Sequence, residues 1–177
     1  MTEGEHIVSS FTEDLDSITQ KIAQMGGMTE EQLASSLEAL IGGDQALAEK
    51  VIASDELVDN MERDIEEQTV LLIAKRQPMA VDLRQTMAGI KIASDLERIG
   101  DLAKNIAKRT LAVQSEGNKP KRVVSGLKRI GALAQRQLQE VLNAYAKNDA
   151  ELAVKVWRND EEVDGMYNSL FRELLTY

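Results

Sequence analysis

Residues 44–61, DQALAEKVIASDELVDNM, and residues 149–166, DAELAVKVWRNDEEVDGM, decide the fold between them. Laid over each other at an offset of 105, they agree at ten of eighteen positions. The shared residues are Asp44/Asp149, Leu47/Leu152, Ala48/Ala153, Lys50/Lys155, Val51/Val156, Asp55/Asp160, Glu56/Glu161, Val58/Val163, Asp59/Asp164 and Met61/Met166. Two unrelated amphipathic helices coincide at apolar places, since each needs an apolar stripe at spacings of three and four. They rarely coincide at three acidic places as well. The chain therefore reads as an internal duplication built from helices.

The same spacing, followed outward, marks five helices. The first carries Ile7, Phe11, Leu15, Ile18, Ile22 and Met25, then Leu33, Leu37 and Leu40. Gly26-Gly27 interrupts it, and Thr29 with Gln32 would make a capping box for a fresh helix. The apolar stripe nevertheless keeps its phase across the glycines, which favours one long helix kinked there. Gly42-Gly43 ends it and Asp44 is the next N-cap. The second helix runs from about Asp44 to Arg76, and Pro78 forces the break behind it. The third reaches about Val113, with Gly89, Ile92, Leu96, Ile99, Ala103 and Ile106 as its core stripe. Gln114 to Lys121, with Gly117, Asn118 and Pro120, is the clearest linker. The fourth helix carries Val123 to Tyr145, and the fifth starts near Asp149 and runs to the end.

The expected class is all-α: a tandem pseudo-repeat of three-helix bundles, the second lacking its last helix. The expected domains are a first repeat at 1–113, a linker at 114–121 and an incomplete second repeat at 122–177. Adding 105 to Glu97 or Asp101 points past Tyr177. A missing helix leaves an apolar groove, which a monomer in water tolerates poorly. Another copy fills it, the two remaining helices repack, or the chain is a shortened form.

Composition agrees. Apolar residues at 43% with charged residues at 29% mark a globular chain rather than a disordered one. Aromatics at 3% are too few for a sheet protein, whereas Ala, Leu, Glu, Lys, Gln and Met are good helix formers. A net charge of −9 argues against general binding to nucleic acid or to anionic membranes. Zero cysteines exclude disulfides, thiolate metal sites and a cysteine nucleophile, and fit a reducing compartment. Neither a signal peptide nor an 18-residue apolar run is present.

The acids are the chemistry-bearing feature. Asp55, Asp59, Glu62 and Glu66 step by four, three and four, so they share one column on the second helix. Asp160 and Asp164 repeat the pair, in a column that also holds Ala153, Trp157, Tyr167 and Phe171. On the third helix Glu97, Asp101 and Asn105 step by four. Like charges four apart cost a helix roughly 0.2–0.5 kcal/mol, so something should offset them. One candidate is a hard cation such as Mg²⁺, Mn²⁺, Ca²⁺ or iron, held by carboxylates of facing helices. The other reading pairs the acids with Lys and Arg across helices, with Arg98, Lys104 and Lys108 nearby, on what is usually a solvated face. The di-iron Glu-x-x-His pattern is absent, and the only histidine, His6, lies near one end. Gly100, amid these acids, reads either as tolerated weakness or as close approach of a neighbouring helix. The Lys75–Arg84 segment is a helix stop and restart, and its basic side chains stand on a corner open to a partner or a phosphate. The structural reading of that corner is favoured.

Three segments carry a resemblance. Glu97-Arg98-Ile99-Gly100-Asp101 with Asn105-Ile106, Ile73-Ala74-Lys75-Arg76-Gln77-Pro78 with Asp82-Leu83-Arg84, and Met25-Gly26-Gly27-Met28 together resemble the PhoU family, as does the late Val163-Asp164. The likeness covers essentially the whole chain, in order. It implies two three-helix bundles related by pseudo-symmetry. It also implies metal sites at acidic pairs, here Asp55 with Asp59, Glu97 with Asp101, and Asp160 with Asp164, supported by Glu62 and Asn105. The partner helix of the last pair is missing, which puts that second site in question.

The implied function is a cytoplasmic regulator, not an enzyme. It would link the ATPase subunit of the phosphate importer to the phosphate-sensing histidine kinase, repressing the starvation response when phosphate is plentiful. The implied form is a homodimer without nucleic-acid binding or membrane insertion. The alternative is a metal-storage or metal-buffering bundle. No nucleophile–histidine pair and no phosphate-cradling loop speaks for catalysis.

Overall fold

Long runs of helix formers, broken by a Gly-Gly pair, by Pro78 and by Asn148-Asp149, produce the elements expected. A computed structural model describes residues 3–113 and 121–175, and the surroundings of side chains at 11–113 and 123–175. The helices are α1 (Glu3–Gly42), α2 (Gln45–Arg76), α3 (Val81–Val113), α4 (Lys121–Ala146), α5 (Ala150–Arg158) and α6 (Asp160–Leu174). The described residues contain no strand, so the chain is all-α. Residues 114–120 of the expected linker lie outside the described residues.

α1 is one helix straight through Gly26-Gly27. Ile22, Met25 and Thr29 are all fully buried, and that burial outweighs the roughly 0.5–1 kcal/mol that each mid-helix glycine costs. Thr29 does not cap a new helix. Its hydroxyl donates to the Met25 carbonyl at 2.9 Å, one turn back.

The duplicated sequence builds the same turn twice. At the end of α1, Gly43 takes a left-handed φ of 70°, the Asp44 N–H donates to the Ala39 carbonyl at 3.0 Å, and Asp44 Oδ1 accepts from the Leu47 N–H at 3.0 Å. At the end of α4, Asn148 takes φ 51°, the Asp149 N–H donates to the Ala144 carbonyl at 2.8 Å, and Asp149 Oδ1 accepts from the Leu152 N–H at 2.9 Å. Every atom pair is related by the offset of 105. Gly and Asn are the residues that enter the left-handed region most easily, and Asp is a preferred N-cap.

The single fifth helix expected from the sequence is two. Asn159 interrupts it: its N–H is shared between the carbonyls of Lys155 and Val156, and its own carbonyl accepts from Glu162, which tightens the turn. Three acids open α6 (Asp160, Glu161 and Glu162), and acids are favourable at a helix N-terminus. The repeat mate of Asn159 is Ser54, and α2 passes through it unbroken.

By contact density the chain divides into two compact units: Met1–Thr29 with Asp55–Gly100, and Glu30–Ser54 with Asp101–Tyr177. This division follows packing and falls inside α1, α2 and α3, whereas the division of the sequence near residue 113 follows the repeat. In the first unit Ile18, Ile22 and Met25 of α1, Val58, Ile65 and Leu72 of α2, and Ala93 and Leu96 of α3 form the buried apolar set. Gly89 lets α3 approach α1, since a Cβ there would lie 3.4 Å from Ile22 Cδ1. Two ion pairs join α1 to α2 at the edge: Lys21 with Asp64, and Arg76 with Asp14 at 3.2 Å. In the second unit Ala39, Ala48, Val51 and Ala107 form a core of small side chains. α4 packs against α5 and α6. Gly131 of α4 meets Leu37 of α1, and Gly126 meets Leu170 of α6.

Candidate functional site

The periodicity that buries one face of α2 turns Asp55 inward. It is 5% exposed, one of few charged side chains so enclosed, and it has an interaction partner in the chain. A buried carboxylate without compensation is costly, so a partner is required. Asp59 and Glu62, on the same column, are half-buried, and Glu66 is exposed. Glu97 on α3 is half-buried and likewise partnered. These residues belong to the first unit.

Asp101 and Asn105 belong to the second unit. Lys104 Nζ donates to Asp101 Oδ1 at 2.7 Å, one turn along the same helix. Lys104 is one of the cations named as the alternative to a metal, but the pair lies within α3 rather than across helices. Asp160 and Asp164 are exposed, at the rim of an open hollow of about 440 Å³ lined also by Trp157, Arg158 and Glu161. The aromatic residues of their column are exposed as well: Trp157 at 76%, with Tyr167 and Phe171 stacked at a centroid distance of 6.1 Å. The repeat therefore preserves the acids but not their surroundings, for Asp55 is buried where Asp160 is not.

Among the described residues, no three Asp, Glu, His or Cys side chains come together closely enough to hold a metal ion. Divalent cations of the hard class take six or more oxygen donors, and even a partly hydrated Mg²⁺ uses one or two carboxylates with a rigid geometry.

Three features escaped the sequence reading. Asp14 and Asp64 act as acceptors of the α1–α2 ion pairs; the basic end of α2 at Lys75-Arg76 was the only hint of the first. Buried Gln32 donates from Nε2 to half-buried Ser54 Oγ at 3.1 Å, a contact that apolar periodicity could not signal. The corner between α2 and α3 holds two non-glycine residues with positive φ, Gln77 at 48° and Ala80 at 51°, and it leaves Met79 80% exposed.

Among the described residues no helix is long and apolar enough to cross a membrane. The PhoU domain family matches residues 22–110 and 127–177. A Rhizobium meliloti (strain 1021) protein described as a phosphate-specific transport system accessory protein PhoU homolog is 51% identical over 172 residues, covering 97% of this chain and 72% of the relative. The crystal structure of PhoU from Pseudomonas aeruginosa superposes with a TM-score of 0.91 at 40% identity, over 94% of this chain and 79% of that one. The phosphate transport system regulatory protein PhoU from Streptococcus pneumoniae gives a TM-score of 0.85 at 27% identity, over 94% and 77%.

Proposed function

This chain belongs to the PhoU family, and from that premise we propose that it is a regulatory accessory of bacterial phosphate uptake, without catalysis of its own. Its finer role in this reading is an adaptor in the cytoplasm. It docks on the ATPase subunit of the phosphate importer and on the phosphate-sensing histidine kinase, and holds the kinase in its repressing state when phosphate is plentiful. The observation that carries the reading is 51% identity, over 97% of this chain and 72% of the relative, to a protein named for phosphate-specific transport. The character of the chain supports it: the described residues are almost wholly helical and offer abundant helix surface for docking.

The test is binding of the full chain to each purified partner at high and at low phosphate. Binding to at least one, strengthened by phosphate, is expected. Binding to neither at high phosphate overturns the reading. The homodimer belongs to the same proposal and is checked by sedimentation of the purified chain.

Cation binding at Asp55, Asp59, Glu97, Asp101, Asp160 and Asp164 is a second proposal. The buried position of Asp55 and the repetition of the acids support it. It requires side chains to move together, so it predicts weak, reversible association rather than storage; the storage reading is not favoured. Calorimetric titration with Mn²⁺ and Mg²⁺, comparing wild type with Asp55→Asn/Asp59→Asn, decides it. Equal heats from the two proteins remove these residues from consideration.

A further inference from the structure

The α2–α3 corner of the first unit combines backbone strain with exposed apolar side chains. Pro78 stops α2, and the chain turns through two left-handed residues, Gln77 and Ala80. Left-handed conformations of non-glycine residues cost on the order of 1–3 kcal/mol each. The result is an apolar tip: Met79 is 80% and Val81 63% exposed, and Leu83 and Met87, one turn apart on α3, are both exposed. Folding alone gains nothing from placing these side chains in water.

The charge here is opposite to that of the whole. The chain carries −9, yet Lys75, Arg76 and Arg84 face a single acid, Asp82, in the segment 75–87. Arg76 is held by Asp14. Lys75 and Arg84 are exposed and make no ion pair among the described residues. Lys75 also edges a hollow of about 220 Å³ between α1 and α2, whose lining includes Leu71, Leu72, Gln68 and the Asp14 that pairs with Arg76. That is below the roughly 300–1,000 Å³ of small-molecule pockets, and suits one inserted side chain.

We propose that this corner is a protein-docking surface, and that its occupant is a partner presenting an apolar recess rimmed by carboxylates. Methionine and arginine are enriched in interface cores, and Met in particular packs against varied apolar shapes. A cationic patch on an acidic body also selects orientation: an acidic partner is repelled by the rest of the chain and drawn to this corner. An anionic bilayer differs from such a partner in extending beyond the corner, so it would meet acidic surface as well. The inference rests on the adaptor reading and adds to it the face by which the adaptor engages.

The experiment measures affinity of the full chain for the importer ATPase and for the soluble part of the kinase, and co-sedimentation with phosphatidylserine vesicles. Met79→Asp and Arg84→Glu are compared with wild type and with Lys147→Glu, an exposed change in the second unit. Circular dichroism confirms that each variant is folded. Both corner variants are expected to weaken binding to one of the two partners by about tenfold or more, with Lys147→Glu unchanged. Wild-type affinity in both corner variants overturns the inference and leaves the adaptor reading intact. Failure of the wild type to bind either partner overturns both. Wild-type binding to vesicles that Met79→Asp abolishes assigns the corner to a lipid surface and overturns the protein occupant.

Discussion

Gly27→Ala should stabilise the protein, and Gly131→Ala should not. Both glycines are inside helices, where Ala is favoured over Gly by about 0.8–1.0 kcal/mol. At Gly27 an added Cβ meets nothing within 4 Å, so the full gain is realised. For a chain of this size about 1 kcal/mol corresponds to roughly 2–4 °C in Tm. At Gly131 the Cβ would lie 2.7 Å from Leu37 Cδ1 and 3.2 Å from Cδ2. Leu37 must shift, and overpacking of that kind costs typically about 1–3 kcal/mol, which cancels or exceeds the helical gain. The expected outcome is a Tm raised by about 3 °C for Gly27→Ala and unchanged or lowered by up to about 6 °C for Gly131→Ala. Thermal melts followed by far-ultraviolet circular dichroism measure both. A lowered Tm for Gly27→Ala would refute the continuous α1, because only a non-helical or covered backbone penalises alanine there.

Three further outcomes follow from the same structure. Asp44→Ala and Asp149→Ala each remove one cap hydrogen bond of the same geometry, and each should cost about 1 kcal/mol in urea unfolding; a large inequality would mean the two turns are not equivalent in solution. Ile65→Ala, at a fully buried position of the first unit, should cost about 2–5 kcal/mol, read as a lower urea midpoint. Ala80→Gly should raise stability by about 0.5 kcal/mol, because relief of the left-handed strain exceeds the added freedom of the unfolded chain. In a helix the same change would destabilise, so the sign of the Tm shift reports the backbone conformation.

The fold was legible because its information is local and repeated. Apolar spacing placed α1 to α4 to within a few residues; Asp44 was legible as an N-cap and its repeat mate Asp149 as the start of the next helix, though not as a cap. The break at Asn159 was not legible, since its backbone stays near the helical region and only hydrogen-bond sharing betrays it. The acids were legible as a pattern but not as a site. Spacing puts Asp55 and Asp59 on one column; it does not say how far each is buried or which cation lies beside it. Lys104 is only three residues from Asp101, yet Arg98 is equally near in sequence on the other side, and only rotamers and packing choose between them. The corner between α2 and α3 was read as a stop signal. Positive φ at Gln77 and Ala80 has no marker in residue type, so its exposed tip came from the structure alone.

The twin turns after α1 and α4 carry one more lesson. The same bend is spelled once with Gly43-Asp44 and once with Asn148-Asp149, so its shape tolerates two spellings. A joint that accepts either spelling constrains the bend alone, and leaves each departing helix free to face different company. Asp55 is enclosed where its counterpart Asp160 meets water, although both follow the same bend.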